Sequence, residues 1–216
     1  NSWRETSVHR KTLKLLKKDQ PDLLSRLSDN EMVQALLKKP EPITELDGEK
    51  KLQVAQIDEM LNKAAYRLRF YTLDNLNPHI LLKELERTYV LAAENYLKCR
   101  VNPKPKALHE FRKRSKDFLY QLYFFRPLNP SVVKELEKKL DTLTQNLGKY
   151  NDLTQIISHL EYKVGAEGNS PVINELIVVI RDKQDQFLSK VWPSAYKVFC
   201  PGQKLINILG FRLLVI

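Results

Sequence analysis

Residues Leu108–Phe125 read LHEFRKRSKDFLYQLYFF. Set on a helix, this stretch sorts its side chains onto two sides. Leu108, Phe111, Phe118, Leu119, Leu122 and Phe125 form a broad apolar face suited to a core. His109, Arg112, Lys113, Lys116 and Tyr120 stand at i, i+3, i+4, i+7 and i+11, which at 3.6 residues per turn is an arc of roughly 100°. One helix therefore offers a packing face and a separate stripe of three permanent cations, a histidine and a phenol. Like charges at i,i+4 repel by a few tenths of a kcal/mol. Glu110 and Asp117 point away from the stripe, so an anion held along it is what would relieve the repulsion.

The same sign extends outward. From Lys98 to Lys116 the chain carries Lys98, Arg100, Lys104, Lys106, Arg112, Lys113, Arg114 and Lys116 against Glu110 alone, a net +7 out of the formal +10 of the whole chain. A solvated helix face ordinarily mixes both signs, as VVKELEKK at 132–139 does. The unmixed run favours an anionic partner over a merely solvated face.

Leu108–Tyr120 resembles the signature helix of CHAD domains, H-x-x-R-K-x-x-K-x-L-R-Y. His109, Arg112, Lys113, Lys116 and Tyr120 match position by position, while Phe118 replaces the Leu and Leu119 the second Arg. LGKYND, with Leu147, Gly148 and Asp152, is similar to the L-G-x-x-x-D stretch one helix later. LERTY, with Leu85, Arg87, Thr88 and Tyr89, looks like the L-x-R-T-Y segment one helix earlier, although Ala93 and Glu94 stand where members often carry basic residues. The resemblance covers at least Leu85–Leu160. It implies an all-α fold of long antiparallel helices forming two pseudo-two-fold-related bundles, here divided as residues 1–100 and 101–216. It further implies binding of inorganic polyphosphate, in the cytoplasm and at polyphosphate granules. Arg4-Glu5 looks like the family's Arg-Asp pair on its second helix, so the chain reads as if its first helix and the first copy of the stripe were missing, leaving the first bundle incomplete.

Composition agrees with helices. The 216 residues contain only 6 Gly, and the 11 Pro fall mostly between periodic segments. Cys99 and Cys200 are far apart with no C-x-x-C, which fits a reducing compartment. NSWRETSVHRK at the start has no apolar stretch of a signal peptide. No apolar run reaches about 18 residues. LINILGFRLLVI at 205–216 reads as a docked terminal helix.

In chain order, helices are expected over Ser2–Lys18, a pair after Pro21 ending near Lys38, Glu49–Leu73, and Pro78 to about Arg100. The signature helix follows the stiff linker Asn102-Pro-Lys-Pro105. Val132–Tyr162 is long and amphipathic, with Val133, Leu136, Leu140, Leu143, Leu147 and Leu153 at helical spacing. Gly148 within it costs roughly 1 kcal/mol against Ala, a modest penalty for the close approach of a neighbouring helix or a ligand. Gly165–Gly168 is expected as a loop. Pro171–Val191 is the next helix, broken by Pro193 and Pro201.

No catalytic constellation is present: there is no G-x-x-x-x-G-K-[ST], G-x-S-x-G or H-E-x-x-H. His9, His79, His109 and His159 are isolated from one another, and the cations beside His109 oppose a divalent metal. Neither a cofactor nor a metal is expected, and the chain is not expected to be an enzyme. The remaining chemistry is oxyanion recognition, with the Arg fork gripping phosphate and Lys acting as a point charge. The ligand residues carried over from the motif are His109, Arg112, Lys113, Lys116 and Tyr120. Arg4, Arg67, Arg87 and Arg181 are added by sign and face, and each is equally suited to a surface ion pair. Lys149 and Asn151 flank the Leu-Gly landmark, and Asp152 is expected to cap or to pair with a stripe cation. Two alternatives share the basic charge. A nucleic-acid-binding helical protein lacks a helix-turn-helix and an aromatic row here. A phosphoryl-transfer or hydrolytic enzyme lacks clustered carboxylates for Mg²⁺.

Overall fold

The computed structural model describes residues 48–69, 77–167 and 171–210, together with the single positions 12, 21 and 34. The helices are α1 (Gly48–Arg69), α2 (Pro78–Val101), α3 (Pro105–Leu122) with a 3₁₀ turn Tyr123–Phe125 after it, α4 (Pro130–Glu167), α5 (Pro171–Phe199) and the short α6 (Leu205–Leu209). Among the described residues there is no strand, so the fold is all-α as the sequence indicates. Pro78, Pro105, Pro130 and Pro171 each open a helix. At a first helical position the missing N–H would have had no partner, and the ring presets φ. The Asn77 Oδ1 accepts the His79 N–H at 2.9 Å and so caps the start of α2.

The described helical residues divide into a larger unit, from residue 82 onward, and a smaller one that ends at residue 81. In the larger unit α2 to α5 run alternately up and down. Tyr96 of α2 meets Phe111 of α3, and Tyr89 meets Phe118, with ring centroids 6.0 and 5.5 Å apart. As the number rises on one helix it falls on the other, so the two are antiparallel. Phe199 of α5 closes the cluster against Tyr89, Tyr96, Phe111 and Phe118. Phe111, Phe118 and Phe199 are fully buried. Each such side chain contributes roughly 1.5–3 kcal/mol on leaving water. α2, which the division at residue 100 assigns to a first bundle, thus shares a core with α3 and α5.

LERTY is a core element. Leu85, Thr88 and Tyr89 are buried, and the Tyr89 hydroxyl donates to the Val198 carbonyl at 3.3 Å. Burial pushes the Tyr89 phenol up to about 12 and the Cys99 thiol up to about 11. α4 contributes the expected row of Val133, Leu136, Leu140, Leu143, Leu147 and Leu153, all buried. At 38 residues it outreaches the 18 of α3. Its distal part packs Leu153, Ile156, Ile157 and Leu160 against Ile173, Leu176, Ile177 and Ile180 of α5.

Some boundaries differ from the sequence reading. α5 runs through Pro193 to Phe199 instead of stopping at Val191. An interior proline costs roughly 3 kcal/mol, but Val191, Ala195, Val198 and Phe199 are all buried, and together they outweigh that loss. α4 continues through Gly165 to Glu167, where a loop was expected, because its distal apolar side stays packed on α5. α3 begins at Pro105 rather than Leu108 and tightens into the 3₁₀ turn after Leu122. The described part of the tail docks: Leu205 and Leu209 are buried, and Asn129 Nδ2 donates to the Leu209 carbonyl at 2.9 Å.

In the smaller unit, α1 carries Leu52, Ile57, Met60 and Leu61 exposed on its surface. The helices expected over Ser2–Lys18 and between Pro21 and Lys38, the end of the Glu49–Leu73 segment, Arg4 and the Arg4-Glu5 pair lie outside the described residues. The same holds for residues 211–216. The pseudo-two-fold relation to a first bundle would rest on those segments.

Candidate functional site

α3 is placed by its apolar face. Leu108, Phe111, Ser115, Phe118, Leu119 and Leu122 are buried, which turns the stripe toward α4 and the solvent beside it. Arg112 is half-buried, and its Nε donates to the Thr144 carbonyl of α4 at 3.2 Å. The reason it can come so near is Gly148. A Cβ at that position would lie 3.3 Å from Arg112 Nε and 3.4 Å from Nη2. Thr144 and Gly148 are i,i+4 on α4, so the missing side chain bares the carbonyl that the guanidinium reaches. Arg112 spends one of its five N–H donors on this seat. Its two Nη groups donate to nothing among the described residues.

At the N-terminal end of the stripe, exposed His109 brings Nδ1 to 3.2 Å from Asn151 Oδ1. An amide oxygen only accepts, so in this arrangement Nδ1 is the donor. Lys113 is exposed, with no ion pair or hydrogen bond among the described residues. Lys116 Nζ donates to the Tyr120 hydroxyl at 3.3 Å and lies 5.7 Å from the ring centroid. Tyr120 itself is 50% exposed. From His109 to Tyr120 the stripe rises about 16 Å along the helix axis.

The acids of α3 are kept away. Arg114, off the stripe, pairs with Glu110 at 2.8 Å and with Asp117 at 3.7 Å. Among the described residues no carboxylate pairs with Arg112, Lys113 or Lys116. The stripe therefore keeps its full charge, a surface on which a row of oxyanions loses repulsion and gains charge-assisted hydrogen bonds.

The other arginines behave differently. Arg87 pairs with Glu84 on α2 at 2.8 Å. Arg181 pairs with Glu161 at 3.0 Å, at a cleft of 420 Å³ whose wall includes Pro105, Tyr150, Gln184 and Asp185. Burial and Asp185 push the Tyr150 phenol up there. Arg67 lies on α1 of the smaller unit beside Asp58, Glu59 and Lys63. Arg4 lies outside the described residues. Lys149 sits over the Phe187 ring of α5 at 5.5 Å, and Asp152 is half-buried on α4, one turn past Gly148.

Sequence reasoning allowed Gly148 a close approach but did not identify Arg112 as what approaches. The Thr144 carbonyl and the Asn151 amide were also not assigned roles. The signal for them is the i,i+4 spacing of Thr144 and Gly148 facing a helix with an arginine at matching height. Among the described residues no group of three or more His, Cys, Asp or Glu is gathered to hold a metal ion, and no helix is long and apolar enough to cross a membrane.

Comparison with curated proteins and with solved structures gives no match. The model of the CHAD domain family matches residues 4–161, which include LERTY, the whole stripe and the Leu147-Gly148 landmark. That match spans well over half of the chain, and the chain belongs to the CHAD domain family.

Proposed function

We propose that this protein binds inorganic polyphosphate along the α3 stripe, without cleaving it. The observation that carries the reading is the state of the cations. Among the described residues Arg112 is anchored through Nε while its Nη groups meet no acceptor, Lys113 has no ion pair or hydrogen bond, and the nearby acids Glu110 and Asp117 are taken by Arg114. A linear polymer with one charge per phosphate suits such a row, and each charge-assisted contact is worth about 1.5–3 kcal/mol. The resemblance of His109–Tyr120 to the CHAD signature supports polyphosphate as the particular polyanion, and with it a cytoplasmic place at polyphosphate granules.

The test is a calorimetric titration with polyphosphate, repeated in the presence of short duplex DNA of equal total charge. Saturable binding that DNA does not displace is the expected result. Displacement by DNA at equal charge would mean a general polyanion or nucleic-acid site. Incubation with polyphosphate and Mg²⁺ should release no phosphate, and steady release would identify an enzyme.

A further inference from the structure

The stripe does not end in open solvent. Beyond Lys116 it runs into two tyrosines. Tyr120 is 50% and Tyr123 39% exposed, and their ring centroids lie 6.2 Å apart at 57°. Each carries a cation: Lys116 Nζ is near the Tyr120 ring at 5.7 Å, and the Arg126 guanidinium covers Tyr123 at 4.3 Å. Arg126 is in turn fixed by a bidentate pair with Glu137, at 2.6 and 2.7 Å. Phe124 in the same turn is 80% exposed. These aromatics are not needed by the core, which Phe118, Leu119 and Leu122 already fill. Polyphosphate can accept from the Tyr120 hydroxyl, but it has no group that would use the ring faces.

A ligand that needs both features has phosphates at one end and a flat aromatic base at the other. We propose that the site also takes nucleoside triphosphates, with the phosphate chain on Arg112, Lys113 and Lys116 and the base on the outward face of Tyr120. The inference rests on the phosphate-binding reading above. The base cannot enter between the two rings: two stacking gaps need about 7 Å, more than the 6.2 Å available. It therefore lies on the half of the Tyr120 ring that faces solvent, with Tyr123 bracing that ring from the other side. Lys116 is shared between the two ends. Its Nζ, already at the Tyr120 hydroxyl, sits where the phosphates of a base-stacked nucleotide begin.

The full chain is titrated with ATP and with tripolyphosphate, both without divalent cation. Tripolyphosphate carries the greater charge, so electrostatics alone ranks it above ATP. Stacking on one ring should reverse that order and give ATP an advantage of about 5-fold or more. Tyr120→Phe should keep the ATP-to-tripolyphosphate ratio, because the ring remains, while Tyr120→Ala should bring the ratio to one or below. Tyr120 is half exposed, so neither substitution opens the core. ATP binding no tighter than tripolyphosphate overturns the proposal, as does a ratio that survives in Tyr120→Ala. Tripolyphosphate binding without an ATP preference leaves the phosphate reading standing and removes only the base. Failure of both ligands to bind overturns the nucleotide proposal, while the phosphate reading stands or falls on the polyphosphate titration.

Discussion

Gly148→Ala separates the stripe's geometry from its charge. Alanine at an interior helical position gains about 0.5–1 kcal/mol over glycine. The added Cβ would stand 3.3 Å from Arg112 Nε and 3.4 Å from Nη2, inside the 3.5–4.0 Å of a relaxed contact. The guanidinium must then retreat by a few tenths of an ångström. Its bond to the Thr144 carbonyl is already 3.2 Å, at the long limit for N–H···O, so the retreat breaks it. That loss is about 0.5–1.5 kcal/mol, close to the propensity gain. Thermal stability should therefore change little. Polyphosphate affinity should fall about fivefold to tenfold, the equivalent of about 1–1.5 kcal/mol from one misdirected charge-assisted contact. The charge is still present, so the salt dependence should stay that of the parent. Calorimetric titrations at three or four salt concentrations, with melting curves for both proteins, read all three quantities. A folded variant that binds as tightly as the parent would refute the role given to the Arg112–Gly148 seat.

A pH dependence of stability belongs to the core. The Tyr89 phenol is held at about 12 and the Cys99 thiol at about 11 in the fold, so between their ordinary values and these the unfolded chain binds fewer protons than the native one. Stability is therefore full below about pH 9 and declines as pH rises toward 12, by roughly 2–3 kcal/mol for Tyr89. Melting curves from pH 8 to 11.5 should show this loss, and Tyr89→Phe should remove part of the slope; an unchanged slope would place the titration elsewhere.

Much of this was legible in the chain. The prolines at 78 and 171 announce helix starts through local chemistry alone, and the 3.6-residue pattern separates Phe111 and Phe118 from Arg112 and Lys116 without any tertiary knowledge. What was not legible depends on which helix meets which, and at what height. Pro193 reads as a stop until Val198 and Phe199 are seen buried beyond it. Arg112 reads as a free cation until the antiparallel packing of α3 on α4 brings it over Gly148. Arg114 looks equivalent to the stripe cations in the charge count. Only its pairs with Glu110 and Asp117 show that it keeps those acids from the others. Tyr123 falls in the 3₁₀ turn, where helical periodicity no longer reports its direction, and so its meeting with Tyr120 was hidden.

The central claim is that the α3 stripe holds polyphosphate through its cations. The most direct measurement is polyphosphate affinity against salt for the parent and for Arg112→Ala/Lys113→Ala, with circular dichroism to show that the helices remain. For the parent, log K should fall linearly with log salt, at about 0.7 per phosphate neutralised. The double variant should lose about 1.5–3 kcal/mol for each contact removed and should lower the slope by roughly 1.4. An affinity and a slope both equal to those of the parent, in a folded double variant, would contradict the account.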